Sequence, residues 1–217
     1  MLRTALYNSI NVDYFHLISG VDYPCKNNKD FDDFFEIHNG ESFMHYDSEE
    51  EINMWRDTKY RRRIQTWNFI DIFPFSNNSF SLKLRLYIQK AFNILFKREW
   101  IPNVVAGWNW FSWHRKVVEY VLKYLDSYPS YLKRFKYTAC CDEVIFHTLL
   151  QDSVKDLKIN KYNSLRFIEW HPKRMCESLP LILRDSEYND IIKSNCMFCR
   201  KVNVVESLVL LNMLDKS

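Results

Sequence analysis

Apolar positions along this chain recur with two periods, one of strands and one of helices. Asp13–Ser19, DYFHLIS, is a short aromatic and β-branched run that stops at Gly20, which predicts a buried strand entering a turn. Met1–Ile10 reads as the tail of a helix. In GVDYPCKN, Gly and Pro punctuate a loop, and after it Phe31, Phe34 and Phe35 recur at helical spacing within Lys29–Ile37. Glu41–Tyr46 reads as a second strand. Asp47–Arg63 is charged, helical at its start, and closes on three arginines. Ser81–Phe96 is the clearest amphipathic helix, with Leu82, Leu86, Ile88, Ala91, Phe92 and Leu95 set against Lys83, Arg85, Gln89 and Lys90. Such a helix suits either a sheet or a membrane surface.

The second half continues the alternation. Val104–Ser112 is an aromatic-rich strand or turn, followed by a helix at Trp113–Leu125 with Val117, Val118, Val121 and Leu125 on its apolar side. A helix at Cys141–Leu150, a strand at Leu165–Trp170, a helix at Glu187–Ile192, a strand at Cys196–Phe198 and a helix at Val204–Met213 follow. Alternating strands and helices predict an α/β fold. A chain that opens on the end of a helix and passes straight into a core strand reads as N-terminally incomplete, because core edges are seldom first.

Composition narrows the class. The 217 residues fit one domain, 1–217, and 47% hydrophobic with 17% aromatic residues, against 3 Gly and 6 Pro, exclude disorder and low-complexity linkers. A net charge of +3 gives no global field for a nucleic-acid partner. The 6 cysteines are too sparse for a disulfide scaffold and point to a reducing compartment. Cys196 and Cys199 form one C-x-x-C with no second pair at zinc-ribbon spacing. No stretch has signal-peptide or membrane-span character, so the expected location is cytoplasmic, with peripheral membrane contact at most.

Three places combine polar groups with aromatic neighbours. Asp22 follows the opening strand, where ligand sites of open α/β sheets lie. Asp142-Glu143 begins a predicted helix, and acidic residues there also serve capping and the helix dipole. Arg200-Lys201 leaves a hydrophobic strand, as solvated strand ends also do.

In order along the chain, LISGVDYPCKN (Leu17–Asn27), WFSWHRKVVEYVL (Trp110–Leu122), CDEVIFHTLL (Cys141–Leu150), LRFIEW (Leu165–Trp170) and MFCRKV (Met197–Val202) carry a resemblance. They resemble successive signatures of the core-2/I-branching β-1,6-N-acetylglucosaminyltransferase family, which includes the peptide O-xylosyltransferases. The resemblance implies an inverting, GT-A-like glycosyltransferase that takes N-acetylglucosamine or xylose from a UDP-sugar, without a metal or other cofactor, to a glycan or polysaccharide acceptor.

It also implies roles. The family's general base falls on Glu143, and a carboxylate suits that task because it stays ionised within reach of a sugar hydroxyl. Asp142 would position the helix start or the acceptor. A metal-free enzyme must meet the departing diphosphate with side-chain cations; one falls on Lys201 and a second on Arg174 or Lys173, where an Arg fork matches a diphosphate better. Trp170 falls on an aromatic that packs against the acceptor, its indole face matching the C–H face of a sugar. Asp22 borders the donor.

Other features carry less. Asp30-Phe31-Asp32 spells a manganese-binding Asp-x-Asp, but it sits at an acidic helix start in a family that dispenses with the metal. Arg61–Arg63 reads as a solvated face, with an anionic acceptor or lipid headgroups as the alternative. His114, His147 and His171 have no mutual spacing for a metal site or triad. Relatives begin with a further strand, helix and strand that supply much of the uridine pocket, and none of it precedes Asp13 here. The competing expectation is therefore a non-catalytic carbohydrate-binding or interaction remnant.

Overall fold

A computed structural model describes residues 1–8, 11–51, 53, 60–69, 79–98, 101, 103–171 and 180–217. They gather in two compact units. The first comprises Met1–His45, Trp110–Glu119 and Val154–Ser217; the second comprises Tyr46–Asn109 and Tyr120–Ser153.

The described strands are β1 (Tyr14–His16), β2 (Asp22–Pro24), β3 (Ser42–Tyr46), β4 (Gly107–His114), β5 (Ile159–Asn160), β6 (Arg166–Ile168) and β7 (Phe198–Arg200). They form a sheet of order β1-β4-β3-β5 and another of order β2-β7-β6. In the larger sheet β1 pairs antiparallel with β4, Phe15 opposite Trp113, and β3 pairs parallel with β5, Ser42 opposite Ile159. In the smaller sheet β7 takes β2 antiparallel on one side and β6 parallel on the other. The α/β expectation holds, and mixed pairing is what an α/β sheet with an antiparallel edge shows.

Alternation in β4 explains its burial on both faces. Phe111 and Trp113 point to one side, fully buried, their rings stacked with centroids 3.6 Å apart. Ser112 is equally buried on the other side, where its hydroxyl meets Arg166 Nη1 at 2.9 Å. Arg166 donates three further hydrogen bonds, to Ser164 O (2.6 Å), Leu17 O (3.0 Å) and Phe111 O (3.0 Å), and its guanidinium stacks 4.4 Å from the Phe198 ring centre. A buried cation is tolerable only when most of its donors are met; here the two terminal nitrogens are met and Nε is not, and meeting them joins the strand after Leu165 to β4 and to the chain leaving β1. Around it Phe35, Phe43, Leu165, Met197 and Phe198 form one apolar cluster, while Cys25, Leu183, Ile191, Cys199, Val202, Leu210 and Leu214 form another.

The second unit is built on Ile64, Val104, Ala106, Phe135 and Val144. Its helices include Tyr60–Gln65, Ser79–Leu95, Pro129–Phe135 and Ile145–Leu150. Pro129 opens its helix at the first position, where a missing N–H costs nothing.

Several expectations need correction. GVDYPCKN is not wholly a loop, since Asp22–Pro24 is a strand, three residues being too few for a period to show. The helix expected from Trp113 begins at Arg115, because Trp113 and His114 finish β4. The strand read at Cys196–Phe198 lies at Phe198–Arg200. The amphipathic helix is present as Ser79–Leu95, but its packed side is not the apolar one. Gln89 Oε1 accepts from Phe69 N (3.1 Å), Asn93 Oδ1 accepts from Trp67 N (2.5 Å), and Asn93 Nδ2 donates to Trp67 O (2.9 Å), with Phe92 set edge-on to both aromatic rings. Leu86, Ile88 and Leu95 are exposed.

Among the described residues no helix is long and apolar enough to cross a membrane.

Candidate active site

In the second unit the acidic pair sits on a turn rather than inside a helix. Cys140 adopts the left-handed region (φ 48°), Cys141–Glu143 forms one 3₁₀ turn, and the α-helix starts only at Ile145. Residues in the cap positions, Cys140 and Val144, give no side-chain bond to either helix start. Asp142 is exposed, and its Oδ2 accepts from Asn109 Nδ2 at 2.8 Å. The carboxylate thus steadies the side chain of Asn109, within β4, rather than serving as an N-cap.

Glu143 is half-buried and its Oε2 lies 2.8 Å from Arg63 Nη1, the two side chains being 34% and 28% exposed. Burial raises the Glu143 pKa, Arg63 works against that rise through charge and hydrogen bond, and Asp142 adds to it. The net direction is upward. Arg63 is therefore not part of a solvated face, as its place in a run of three arginines implied. Asp47, directly after β3, joins this electrostatic group: burial, with smaller contributions from Glu51 and Glu143, pushes its carboxyl up to about 7. Its backbone N–H donates to Ala106 O at 2.9 Å. Sequence reasoning missed both Asp47 and the role of Arg63. The signal for Asp47 was an acid immediately following an apolar strand.

In the first unit Asp22 opens β2 with its side chain wholly buried. One oxygen accepts from Ser19 N and the other lies 3.2 Å from Arg200 Nη1. Arg200, whose side chain is 10% exposed, stacks its guanidinium 3.6 Å from the Trp110 ring centre. Asp22 thus holds Arg200, and Arg200 covers Trp110. Lys201 follows β7 directly, and its backbone is bracketed: its N–H donates to Leu181 O (3.3 Å) and its carbonyl accepts from Leu183 N (2.9 Å), both leucines being fully buried. Trp170 is 43% exposed, so it is not a core tryptophan closing a strand. Its neighbour Glu169 accepts from Leu181 N at 2.9 Å. Lys173 and Arg174 lie outside the described residues.

Residues 1–192 match the family described as Core-2/I-Branching enzyme. The chain belongs to that family. Its fold is accordingly GT-A-like, its class of activity is glycosyl transfer, and its partners are a sugar donor and a sugar acceptor. Asp22, Asp142, Glu143, Trp170, Lys173 and Arg174 fall inside the matched span, and Lys201 falls beyond it. No curated protein is similar enough to the chain to count as a match.

Asp30 of the Asp-x-Asp tripeptide has an ordinary structural duty. Asn27 caps the helix Asn28–Ile37 by accepting from Asp30 N at 2.9 Å, and its amide donates to Asp30 Oδ2 at 3.0 Å. His147 is fully buried with its ring 4.8 Å from that of Tyr46, and His171 pairs with Glu169 at 3.1 Å. Among the described residues no group of three or more His, Cys, Asp or Glu is placed to hold a metal ion.

Proposed function

We propose that this glycosyltransferase moves N-acetylglucosamine, or xylose, from a UDP-sugar to a hydroxyl of a glycan or polysaccharide, with inversion and without a metal. Glu143 takes the proton of the acceptor hydroxyl as the oxygen attacks the anomeric carbon. The new O–C bond forms while the anomeric C–O bond to the diphosphate breaks, and UDP leaves with the electron pair. Lys201, with Arg174 or Lys173, meets the charge that grows on the diphosphate. Trp170 packs the acceptor ring, and Asp142 orients the acceptor side. Asp22, through Arg200, shapes the donor side.

The observation that carries this reading is the setting of Glu143. A half-buried carboxylate whose pKa is raised by burial, with a guanidinium at 2.8 Å opposing the rise, is a stronger base than a solvated one while its charge keeps a partner. Exposed Trp170 adds a flat apolar surface suited to a sugar.

Release of UDP from UDP-N-acetylglucosamine and UDP-xylose, with oligosaccharide acceptors, tests it. Glu143→Gln should lower turnover by ~10²–10⁴-fold while leaving UDP binding intact, because the substitution removes the base without changing volume. A loss below ~10-fold would reject Glu143 as the base. Calorimetry that finds no UDP binding would favour the non-catalytic carbohydrate-binding remnant.

A further inference from the structure

The helix Ser79–Leu95 presents an apolar stripe to solvent. With successive residues about 100° apart, Leu84, Tyr87, Ile88, Ala91, Ile94 and Leu95 fall within one arc of about 120°. All six are exposed. The other side of the helix is occupied, Gln89 and Asn93 being hydrogen-bonded to the backbone of Phe69 and Trp67. Lys83 and Lys90, seven residues apart, line one flank of the stripe, and Lys97 follows just past the helix end; all three are exposed. From Ser79 to Arg98 the chain has no acidic residue.

We propose that this helix docks the enzyme on an anionic membrane surface, lying in the plane of the interface with the stripe at the acyl boundary and the lysine row among the headgroups. Charge complementarity selects this occupant. An amphipathic helix with cations alone beside its apolar stripe matches an anionic lipid layer. A second copy of the chain packed through the same stripe would bring two cationic, acid-free faces together, which repel.

Flotation of the full chain with vesicles of equal parts phosphatidylcholine and phosphatidylglycerol, against vesicles of phosphatidylcholine alone, tests the proposal. Binding should require the anionic lipid and weaken with salt. Leu84→Asp with Ile88→Asp should abolish it, and Lys83→Gln with Lys90→Gln should weaken it by about fivefold for each lysine. All four positions are exposed, so circular dichroism should be unchanged. If the double aspartate variant nonetheless unfolds, the lysine variant decides alone. No binding to anionic vesicles, or binding that survives loss of the two lysines, overturns the proposal. So does lipid-free self-association that Leu84→Asp removes, since the stripe would then join two copies.

Discussion

Arg63 Nη1 sits 2.8 Å from Glu143 Oε2, joining residues eighty positions apart within one unit. The pair sets the proton affinity of the proposed base. Removing the guanidinium leaves burial unopposed, so the Glu143 pKa rises further. In Arg63→Met the acid limb of kcat/KM against pH should therefore move to higher pH, whereas Arg63→Lys, which keeps a charge, should move it less. A limb that stays in place in Arg63→Met would show that the pair does not govern the reactive carboxylate.

Lys201 should contribute through the phosphates. Lys201→Ala is expected to weaken UDP more than uridine, because the lost contact is ionic and made to phosphate oxygen. Bracketing of its backbone by Leu181 and Leu183 is unaffected by the truncation, so the fold should persist. Titration calorimetry with both ligands checks this, and equal losses would remove Lys201 from the diphosphate site. The same titration in EDTA should give unchanged UDP affinity; a manganese requirement would oppose the metal-free mechanism.

Asp47 makes the folded state sensitive to pH in a stated direction. Its folded pKa of about 7 lies above the unfolded value of 3.8, so the native state holds the proton more tightly. Stability from this group is greatest below pH 4 and is lost as pH rises toward 7. Asp47→Asn should therefore match the parent near pH 4 and exceed it at pH 8. After discounting for the partial exposure of the group, the gain is about 1 kcal/mol, or ~2–4 °C in Tm for a chain of this size. Thermal melts at the two pH values test the sign; a variant less stable at pH 8 would contradict it.

Arg166 is expected to be among the costliest positions to change. Arg166→Leu takes the guanidinium donor from the carbonyls of Ser164 and Leu17, while Phe111 O keeps the N–H of Leu17 and Ser112 Oγ keeps its bond to His16 Nδ1. Each orphaned buried acceptor costs roughly 1–3 kcal/mol, so with two of them the loss should exceed ~2 kcal/mol in denaturant unfolding. A change within ~1 kcal/mol would mean that water replaces the guanidinium.

What could be read in advance, and what could not, follows from the range of each signal. The helix after β4 was legible because Val117, Val118 and Val121 repeat within a few residues, and all three are fully buried. Glu143 was legible through its motif, but Arg63 was not, since the contact depends on folding across eighty positions. For the helix Ser79–Leu95 the existence of two faces was legible. Which face the protein covers was not, because that depended on Gln89 and Asn93 finding the backbone of Phe69 and Trp67. Arg166 left a trace that went unused: a lone cation in the apolar run LRFI must find partners if the strand is buried.

The hydrogen bonds at Leu181 have a practical consequence. Its N–H joins Glu169, next to Trp170, and its carbonyl receives the N–H of Lys201. One residue, Leu181, thus ties the backbone beside the proposed sugar-packing aromatic to the backbone of the proposed diphosphate cation. A substitution that displaces Leu181 is therefore felt at both positions at once, one on each side of the rung, and a single backbone residue acts as the hinge pin between them.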